Sequence, residues 1–346
     1  MCIRDSYRAV ADSMCKMKVL ENRVEGLYCS AGDFYIDPRG HVNRAVITHA
    51  HSDHARSGHQ QYLCSESCTS LLKVRIGTDA RIEGMKFSET RKIGDALVSF
   101  HPAGHILGSA QIRIEVKGCV WVVSGDYKPQ SDQTCESFEL VPCHGFISEC
   151  TFGLPVYNWV HEGKIHQEIN QWWRANSESK DISLLFAYSL GKAQRVLAGL
   201  DEGIGKVYVH GAVHSFLDHY KRAGVVFPEV EKVNHNNDQS FEGSLVLAPP
   251  AVEDSAWTRK FRGAKRGFAS GWMAIRGARR RRNLDRGFVL SDHADWNGLI
   301  EVIEGTGAEV VQVTHGNGDA LSAYLREKGL DAQVLHGAVI RGEEEE

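Results

Sequence analysis

The sequence lacks long apolar runs and paired cysteine motifs, and each absence removes a class of protein. No stretch approaches the ~18 consecutive apolar residues of a membrane span, so we expect no membrane partner. No apolar core follows the first residues, which argues against a secretory signal peptide. The nine cysteines are scattered without a Cys-x-x-Cys pair, so a zinc finger has no support. This pattern favours reduced thiols and a cytoplasmic location.

Internal repeats, low-complexity linkers and a complete glycine-rich P-loop are also missing. The turn at 188–192 enters a predicted helix, which makes Ser189 and Lys192 candidate phosphate contacts at a helix N-terminus. The missing glycines argue against an ATP-binding loop there. Since no separate RNA-binding domain is recognisable, we expect any nucleic acid to be bound by the core of the chain.

Charge is distributed unevenly, although the net charge of the 346 residues is only −4. Residues 156–286 contain 20 Lys and Arg against 14 Asp and Glu, whereas the remainder contains 20 against 30. Within 255–286 the balance is 11 basic residues to 1 acidic residue. Such a basic stretch suits a polyanionic substrate, with a solvated charged face as an evenly weighted alternative for its arginine run. The candidate phosphate contacts in that run are Arg279, Arg280, Arg281 and Arg282.

One six-residue stretch, His-Ala-His-Ser-Asp-His at 49–54, carries four side chains that can bind a metal ion. Residues 44–48 are predicted to form a buried strand. Because alternate residues of a strand point the same way, His49 and His51 leave its end together. The Ser-Asp pair that follows can begin a helix and direct the last two side chains to a second point nearby. Two adjacent pockets of imidazole and carboxylate suit a pair of zinc-like ions, whereas a histidine-rich surface turn is the alternative.

Runs in which polar and apolar residues alternate, and runs of apolar residues alone, predict the remaining elements. After Pro155 the predicted strands alternate with helices, which implies a small parallel sheet. The predicted strands span 33–37, 44–48, 97–100, 111–116, 119–123, 145–148, 182–187, 207–209, 245–247, 288–290 and 310–314. The predicted helices span 62–76, 162–175, 190–200, 214–222, 296–304 and 320–328.

Polar side chains that can bind metal or move protons follow these strands in an ordered series. Asp37 is placed to hydrogen-bond the back of a metal-bound imidazole, although an ordinary turn before Pro38 explains it equally well. Glycines on both sides of His105 allow a close backbone approach. Strand ends at one edge of stacked sheets converge, so the series can share one site. The series is Asp37, His49, His51, Asp53, His54, His105, Asp126, Glu149, His293 and His315.

These motifs resemble those of the metallo-β-lactamase fold and, within it, the β-CASP nucleases. The stretch 49–54, Ala103-Gly104-His105-Ile106-Leu107-Gly108 and Ser124-Gly125-Asp126 resemble the metal motifs. Glu149, Ser291-Asp292-His293-Ala294-Asp295 and Thr314-His315-Gly316 resemble the three additional β-CASP motifs. The resemblance implies an α/β protein, an αββα metallo-β-lactamase sandwich with an inserted α/β β-CASP domain. Its implied parts are 18–155 and 287–346 for the metallo-β-lactamase domain and 156–286 for the β-CASP domain.

Four other stretches resemble the bacterial ligase-associated DNA exonucleases, whose relatives are often labelled mRNA 3′-end processing factors. This narrower resemblance implies a DNA exonuclease in DNA repair that acts on single-stranded DNA or RNA, with a DNA ligase and a helicase as partners. An RNA-processing nuclease of the β-CASP type is the alternative, because His315 is the residue type more typical of RNA-acting members. The four stretches are 32–38, 151–155, 269–273 and 292–296.

The resemblance also implies two divalent metal ions, Zn²⁺ or Mn²⁺. Two such ions ~3.5–4 Å apart hold a shared hydroxide and clamp the phosphate. The implied ligands are His49, His51, His105 and Asp126 for one ion and Asp53, His54, Asp126 and His315 for the other. His293 is the implied general acid, oriented by Glu149, because the pKa of an imidazole lies near working pH. The implied catalytic residues are His293, Glu149, Asp37 and Asp53.

Two other classes of protein share part of this pattern. A small-molecule metallo-hydrolase, such as a thioesterase or lactamase, shares the early motifs but does not explain the insertion, His293 or the basic stretch. A catalytically inactive scaffold subunit of a processing complex would have lost metal ligands, and this chain retains all of them.

Overall fold

The structure is a computed structural model that describes residues 18–234, 239–275, 277 and 284–335. The predicted contacts Arg279 to Arg282 lie outside the described residues. The strands are β1 (Glu21–Arg23), β2 (Gly26–Cys29), β3 (Phe34–Ile36), β4 (Arg44–Val46), β5 (Gln61–Ser65), β6 (Ile82–Met85), β7 (Thr90–Ile93), β8 (Ala96–Pro102), β9 (Ala110–Val116), β10 (Cys119–Val123), β11 (Gly145–Glu149), β12 (Ser183–Phe186), β13 (Val207–Val209), β14 (Val230–Lys232), β15 (Leu245–Ala248), β16 (Lys265–Ala269), β17 (Arg286–Phe288), β18 (Val310–Thr314) and β19 (Asp331–Val334). The helices are α1 (Thr69–Ile76), α2 (Glu162–Glu178), α3 (Lys192–Ala198), α4 (Gly211–Arg222), α5 (Trp296–Thr306) and α6 (Gly318–Glu327), with 3₁₀ turns at Pro250–Val252, Ala256–Phe261 and Gly271–Ala274.

The described chain divides into two compact units. The first unit contains residues 18–131, 136–154 and 296–335. The second contains 132–135 and the described residues between 155 and 295. The boundary that the sequence predicts after residue 286 falls inside β17, which pairs with β16 in the sheet of the second unit.

The first unit is built on two sheets, of six and seven strands. Their orders are β1-β2-β3-β4-β5-β6 and β19-β18-β11-β10-β9-β8-β7. One apolar cluster takes Val46 and Leu63 from the first sheet and Ile112, Ile114 and Trp121 from the second, so the two inner faces form a common core. Helix α1 contacts β6, α5 contacts β11, and α6 contacts β18 and β19. The architecture of this unit is therefore mixed α/β.

The second unit has a six-stranded sheet in the order β14-β13-β15-β12-β16-β17. Every pair in it is parallel, which confirms the predicted parallel sheet. Strands β12 and β15 are buried at every residue, as expected for a parallel sheet covered on both faces. The core residues form two apolar clusters, one containing Leu185 and Trp173 and the other containing Phe186 and Phe268.

Two local predictions are wrong. Residues 62–65 form most of β5 rather than a helix, because they pair in parallel with both β4 and β6 and are buried on both faces. The helix predicted from Ser52 is replaced by a single turn, in which the amides of His54 and Ala55 both donate to the carbonyl of His51. The turn still carries the chain back toward the strand ends, so the side chains of the motif remain together.

Among the described residues, none of the helices combines the length and apolarity needed to cross a bilayer. Six described cysteines have free thiols.

Candidate metal centre

The centre of the site is the carboxylate of Asp126, three residues after the end of β10. Its Oδ2 atom lies 3.5 Å from Nε2 of His49, 3.5 Å from Nε2 of His54 and 3.7 Å from Nε2 of His105. His51 joins this group through its Nδ1 atom, which lies 3.0 Å from Nε2 of His105. Three imidazoles from two loops therefore converge on one carboxylate oxygen, and a fourth adjoins them through His105.

A second group adjoins the first through His54. Its Nε2 atom lies 3.5 Å from Oδ2 of Asp53, and its ring is stacked on that of His315 with centroids 5.4 Å apart. Within each group, the candidate ligand atoms all lie within 4.8 Å of one another. The groups are His49, His51, His105 and Asp126, and Asp53, His54 and His315.

The donor set fits a metal ion of the zinc type. Tetrahedral bonds of the usual Zn–N and Zn–O lengths place neighbouring ligand atoms roughly 3.3 Å apart. The separations of 3.0 to 3.7 Å around Asp126 bracket that value. The Nε2 atom of His54 is buried and forms no hydrogen bond within the described residues. A bound cation would provide the partner that this nitrogen lacks.

Electrostatics at the second group also favour a cation. Burial opposes protonation of His54, but Asp53, Asp126 and Asp37 outweigh it and raise its pKa to about 10. Burial likewise opposes ionisation of Asp53, but the nearby histidines, His54 foremost, lower its pKa to about 2. Three carboxylates around one buried imidazole leave the site with excess negative charge, which a divalent ion would balance.

Asp37 supports the cluster from behind, as the sequence predicts. Its Oδ2 atom lies 2.8 Å from Nδ1 of His54, and this contact leaves Nε2 directed at the other ligands. The same carboxylate accepts hydrogen bonds from the backbone amide and the hydroxyl of Thr48, at 2.8 and 2.6 Å. The Thr48 hydroxyl also lies 3.0 Å from Nδ1 of His49. Sequence reasoning missed Thr48, although a buried polar residue directly before the paired histidines was a usable signal.

Two residues of the site have backbone conformations that residues other than glycine rarely adopt. Asp37 and His315 have φ values of 42° and 62°, in the left-handed region. Such residues persist where the surrounding structure over-determines them, which is common at functional sites. Gly125 also has a positive φ, and a Cβ atom there would lie 2.7 Å from the side chain of Thr48. The glycine therefore allows the loop carrying Asp126 to approach the loop carrying the paired histidines.

The glycines flanking His105 have the role that the sequence predicts. A Cβ atom on Gly104 would lie 2.2 Å from the carbonyl oxygen of Lys128, and one on Gly108 would lie 2.3 Å from the amide nitrogen of Cys68. The backbone amide of His105 donates to the hydroxyl of Ser109 at 3.1 Å. Close backbone contact on both sides thus fixes the loop that delivers the imidazole.

Glu149 is buried at the end of β11. Its carboxylate accepts hydrogen bonds from the amide of Tyr127 at 2.9 Å and from the hydroxyl of Thr151 at 2.6 Å. These contacts fix its position in the first unit. Its predicted action on His293 stays a prediction.

The other predicted residues belong to the second unit. His293 has a side chain that is 15% exposed, and its backbone carbonyl accepts a hydrogen bond from Nε1 of Trp159 at 2.9 Å. Ser189 and Lys192 are buried, at 6% and 3% exposure, and the phosphate contacts predicted for them stay predictions. Lys192 begins α3, the seven-residue helix Lys192–Ala198, which is buried from Lys192 to Leu197.

No model of a protein family matches the sequence. A crystal structure of a protein of unknown function from Enterococcus faecalis aligns with a TM-score of 0.57 over 78% of this chain and 74% of that chain, at 10% identity. At that identity, the likeness concerns the fold alone.

Two curated relatives bear on the family. A protein named "Probable DNA ligase" from Opitutus terrae is 31% identical over 90% of this chain. "Endoribonuclease ysh-1" from Neurospora crassa is 25% identical over 48% of this chain. The chain spans only 30% and 20% of the length of these two relatives. Together, the sequence matches confirm the resemblance of this chain to the β-CASP nucleases of the metallo-β-lactamase fold.

Proposed function

We propose that the chain is a metal-dependent nuclease, a phosphodiesterase that uses two divalent ions to hydrolyse nucleic acid. The first unit would be the metallo-β-lactamase domain and the second unit its β-CASP insertion. The observation that carries the proposal is the convergence of His49, His54 and His105 on one oxygen of Asp126, within 3.7 Å. A carboxylate with two oxygens at that point is suited to bridging two ions.

The residues divide into two ligand sets that share Asp126. His49, His51 and His105 complete one set, and Asp53, His54 and His315 complete the other. When bound, zinc or manganese would supply Lewis acidity toward the phosphate and an activated water. Asp37 and Thr48 hold the imidazoles of His54 and His49 in orientation, through the 2.8 Å and 3.0 Å contacts described above.

The leaving oxygen of a nucleotide is a strong base, and its departure needs a proton. We assign that proton to His293, with Glu149 as the carboxylate that orients it, on the basis of their sequence motifs. An imidazole suits the role because its pKa lies near the working pH.

The proposed substrate is DNA, cleaved from an end as part of DNA repair, in association with a ligase and a helicase. Support comes from the relative named as a DNA ligase, whose match extends over 90% of this chain at 31% identity. The alternative is an RNA-processing nuclease. It is supported by the endoribonuclease relative, whose match extends over 48% of this chain.

Incubation with single-stranded DNA and RNA of one sequence, each labelled separately at the 5′ and 3′ ends, tests both candidates. We expect DNA to be shortened progressively from one end, with EDTA abolishing the reaction and Zn²⁺ or Mn²⁺ restoring it. Asp126→Asn serves as the inactive control.

Preferential cleavage of RNA, or internal cuts, would favour the alternative. If a preparation that holds two metal ions per chain cleaves neither polymer, the proposed function is wrong.

A further inference from the structure

Helix α3 is buried from Lys192 to Leu197, yet it carries two cations. The side chain of Lys192 is 4% exposed and that of Arg195 is 1% exposed. An unpaired charge at such depth would strongly destabilise the fold, so the partners of these cations reveal what the helix holds in place. Their spacing of three residues places both on one face of the helix.

The two cations hold two consecutive residues. The Nζ atom of Lys192 lies 3.2 Å from Oδ1 of Asp292, which is itself 2% exposed. The Nη1 group of Arg195 donates to the backbone carbonyl of Ser291 at 2.7 Å, while its Nε group forms an ion pair with Asp132. One short helix therefore fixes both the main chain and the carboxylate immediately before His293.

Further contacts restrain the same loop. The amide of His293 donates to the hydroxyl of Ser291 at 3.1 Å. The indole of Trp159 donates to the carbonyl of His293 at 2.9 Å, and the amide of Trp159 donates to the carboxylate of Asp295 at 2.8 Å. The backbone is thus held before, at and after His293.

Asp292 lies between a cation and the candidate acid. Its Oδ1 atom is 3.2 Å from the ammonium of Lys192 and 3.8 Å from Nε2 of His293. The ammonium is nearer and carries a full charge, so it holds the carboxylate in a fixed position. Removing the charge of Lys192 would weaken the restraint on this carboxylate and so change its contact with the His293 imidazole.

We propose that Lys192 and Arg195 are positioning residues for His293, Lys192 through the Asp292 carboxylate and Arg195 through the Ser291 carbonyl. The inference rests on the proposed function, which makes His293 the general acid. It assigns Lys192 an internal role in place of the phosphate contact that the sequence predicts.

The test compares Lys192→Met, which keeps the length and removes the charge, with Lys192→Arg, which keeps the charge. Each is assayed on a single-stranded oligonucleotide, whose leaving alkoxide needs a proton, and on a bis-nitrophenyl phosphodiester, whose leaving group departs without one. Misplacement of a reacting group by about 1 Å can cost ~10²-fold in rate. We expect Lys192→Met to lower kcat on the oligonucleotide by up to about 10²-fold, with KM and the rate on the aryl ester nearly unchanged. Lys192→Arg should restore most of the loss.

A rise in KM for the oligonucleotide at constant kcat would identify Lys192 as a phosphate contact and overturn the proposal. Equal slowing on both substrates, with metal content retained, would also overturn it. If Lys192→Met does not fold, Arg195→Lys replaces it. This variant keeps the charge beside Asp132 but loses the planar guanidinium that donates to Ser291. The same difference between the two substrates is expected of it, and equal rates on the oligonucleotide in the variant and the parent would contradict the proposal.

A second readout does not depend on nuclease activity. In protein labelled with ¹³C at the histidine rings, the His293 signal is identified by its loss in His293→Gln. It should shift or broaden in Lys192→Met and return in Lys192→Arg. An unmoved signal in Lys192→Met overturns the positioning role. If the parent protein cleaves no nucleic acid but the signal moves as expected, the proposed function fails while the positioning contact stands.

Discussion

Both units bury charged side chains, but the charges are balanced in different ways. In the first unit, the imidazoles around Asp126 stand 3.5 to 3.7 Å from its carboxylate, longer than good hydrogen bonds. In the second unit, Lys192 and Arg195 reach oxygen atoms at 3.2 and 2.7 Å. The first pattern leaves room for an ion among the ligands, whereas in the second each cation already contacts an oxygen atom of the chain. The distances thus distinguish a candidate metal-binding cluster from an internal ion-pair network.

The strongest test of this comparison is the pair Asp126→Asn and Arg195→Met. We expect Asp126→Asn to lose bound metal and all measurable nuclease activity. The free energy of unfolding of the metal-free protein should fall only slightly, since the amide fits the same space and only the pairing with His54 is lost. Arg195→Met should instead destabilise the fold by about 3–5 kcal/mol, because it leaves a buried carboxylate without its partner. Elemental analysis measures the bound metal, and urea unfolding of metal-free protein measures the free energy of unfolding. A large loss of stability in Asp126→Asn would break the comparison.

The next largest effect is expected from His293→Ala. Removing a general acid commonly costs ~10²–10⁴ in rate, so cleavage of nucleic acid should fall by that amount. Metal content should stay unchanged, and a nitrophenyl phosphodiester should be cleaved at close to the parent rate. Equal slowing on both substrates would mean that His293 binds the phosphate or shapes the site.

Asp37→Ala should have a smaller effect on the metal centre. Removing a residue that orients a metal ligand typically weakens metal affinity by about 10–100-fold. Competition with a chelator measures this change. Asp33→Ala is the matched control, because Asp33 also has a positive φ but its carboxylate accepts a hydrogen bond from the hydroxyl of Tyr28. Equal affinities in the two variants would remove Asp37 from the site.

The smallest effect concerns the basic stretch of residues 255–286. Neutralising two of Arg279 to Arg282 should weaken binding to all sequences similarly. It should also flatten the plot of log affinity against log salt by about 0.7 per lost contact on single strands. Arg174→Ala is the control, because Arg174 already pairs with Asp201 at 2.7 Å elsewhere in the second unit. An unchanged slope in the arginine variant would favour a solvated face.

The sequence was most informative where local pattern and burial agree. The strands Cys119–Val123 and Val310–Thr314 have the predicted bounds. The first is buried at every residue, and in the second buried residues alternate with half-buried ones. The cluster around Asp126 also has the predicted members. Strand ends at one edge must converge, and the glycines beside His105 mark a close approach that the structure contains.

Prediction failed where tertiary contacts overrule local preference. Residues 62–65 have helical neighbours in α1, but they pair with the two flanking strands, β4 and β6, and so form a strand. Strands β6 and β7 were missed because they are short and partly exposed, with little apolar pattern. Lys192 was predicted to contact phosphate because it begins a helix, and the sequence does not reveal its buried partner Asp292.

The short segment Asp132–Cys135 groups with the second unit, although it precedes that unit's main stretch by twenty residues. Its Asp132 is the carboxylate that pairs with the guanidinium of Arg195, and its Gln133 side chain donates to the carbonyl of Ala198 at 3.1 Å. The insertion is consequently not a portable module. A fragment cut at Pro155 and Asp295 would keep Glu162 but leave behind Asp132, the nearer of the two carboxylates paired with Arg195, so recombination between relatives should exchange the segment and the insertion together.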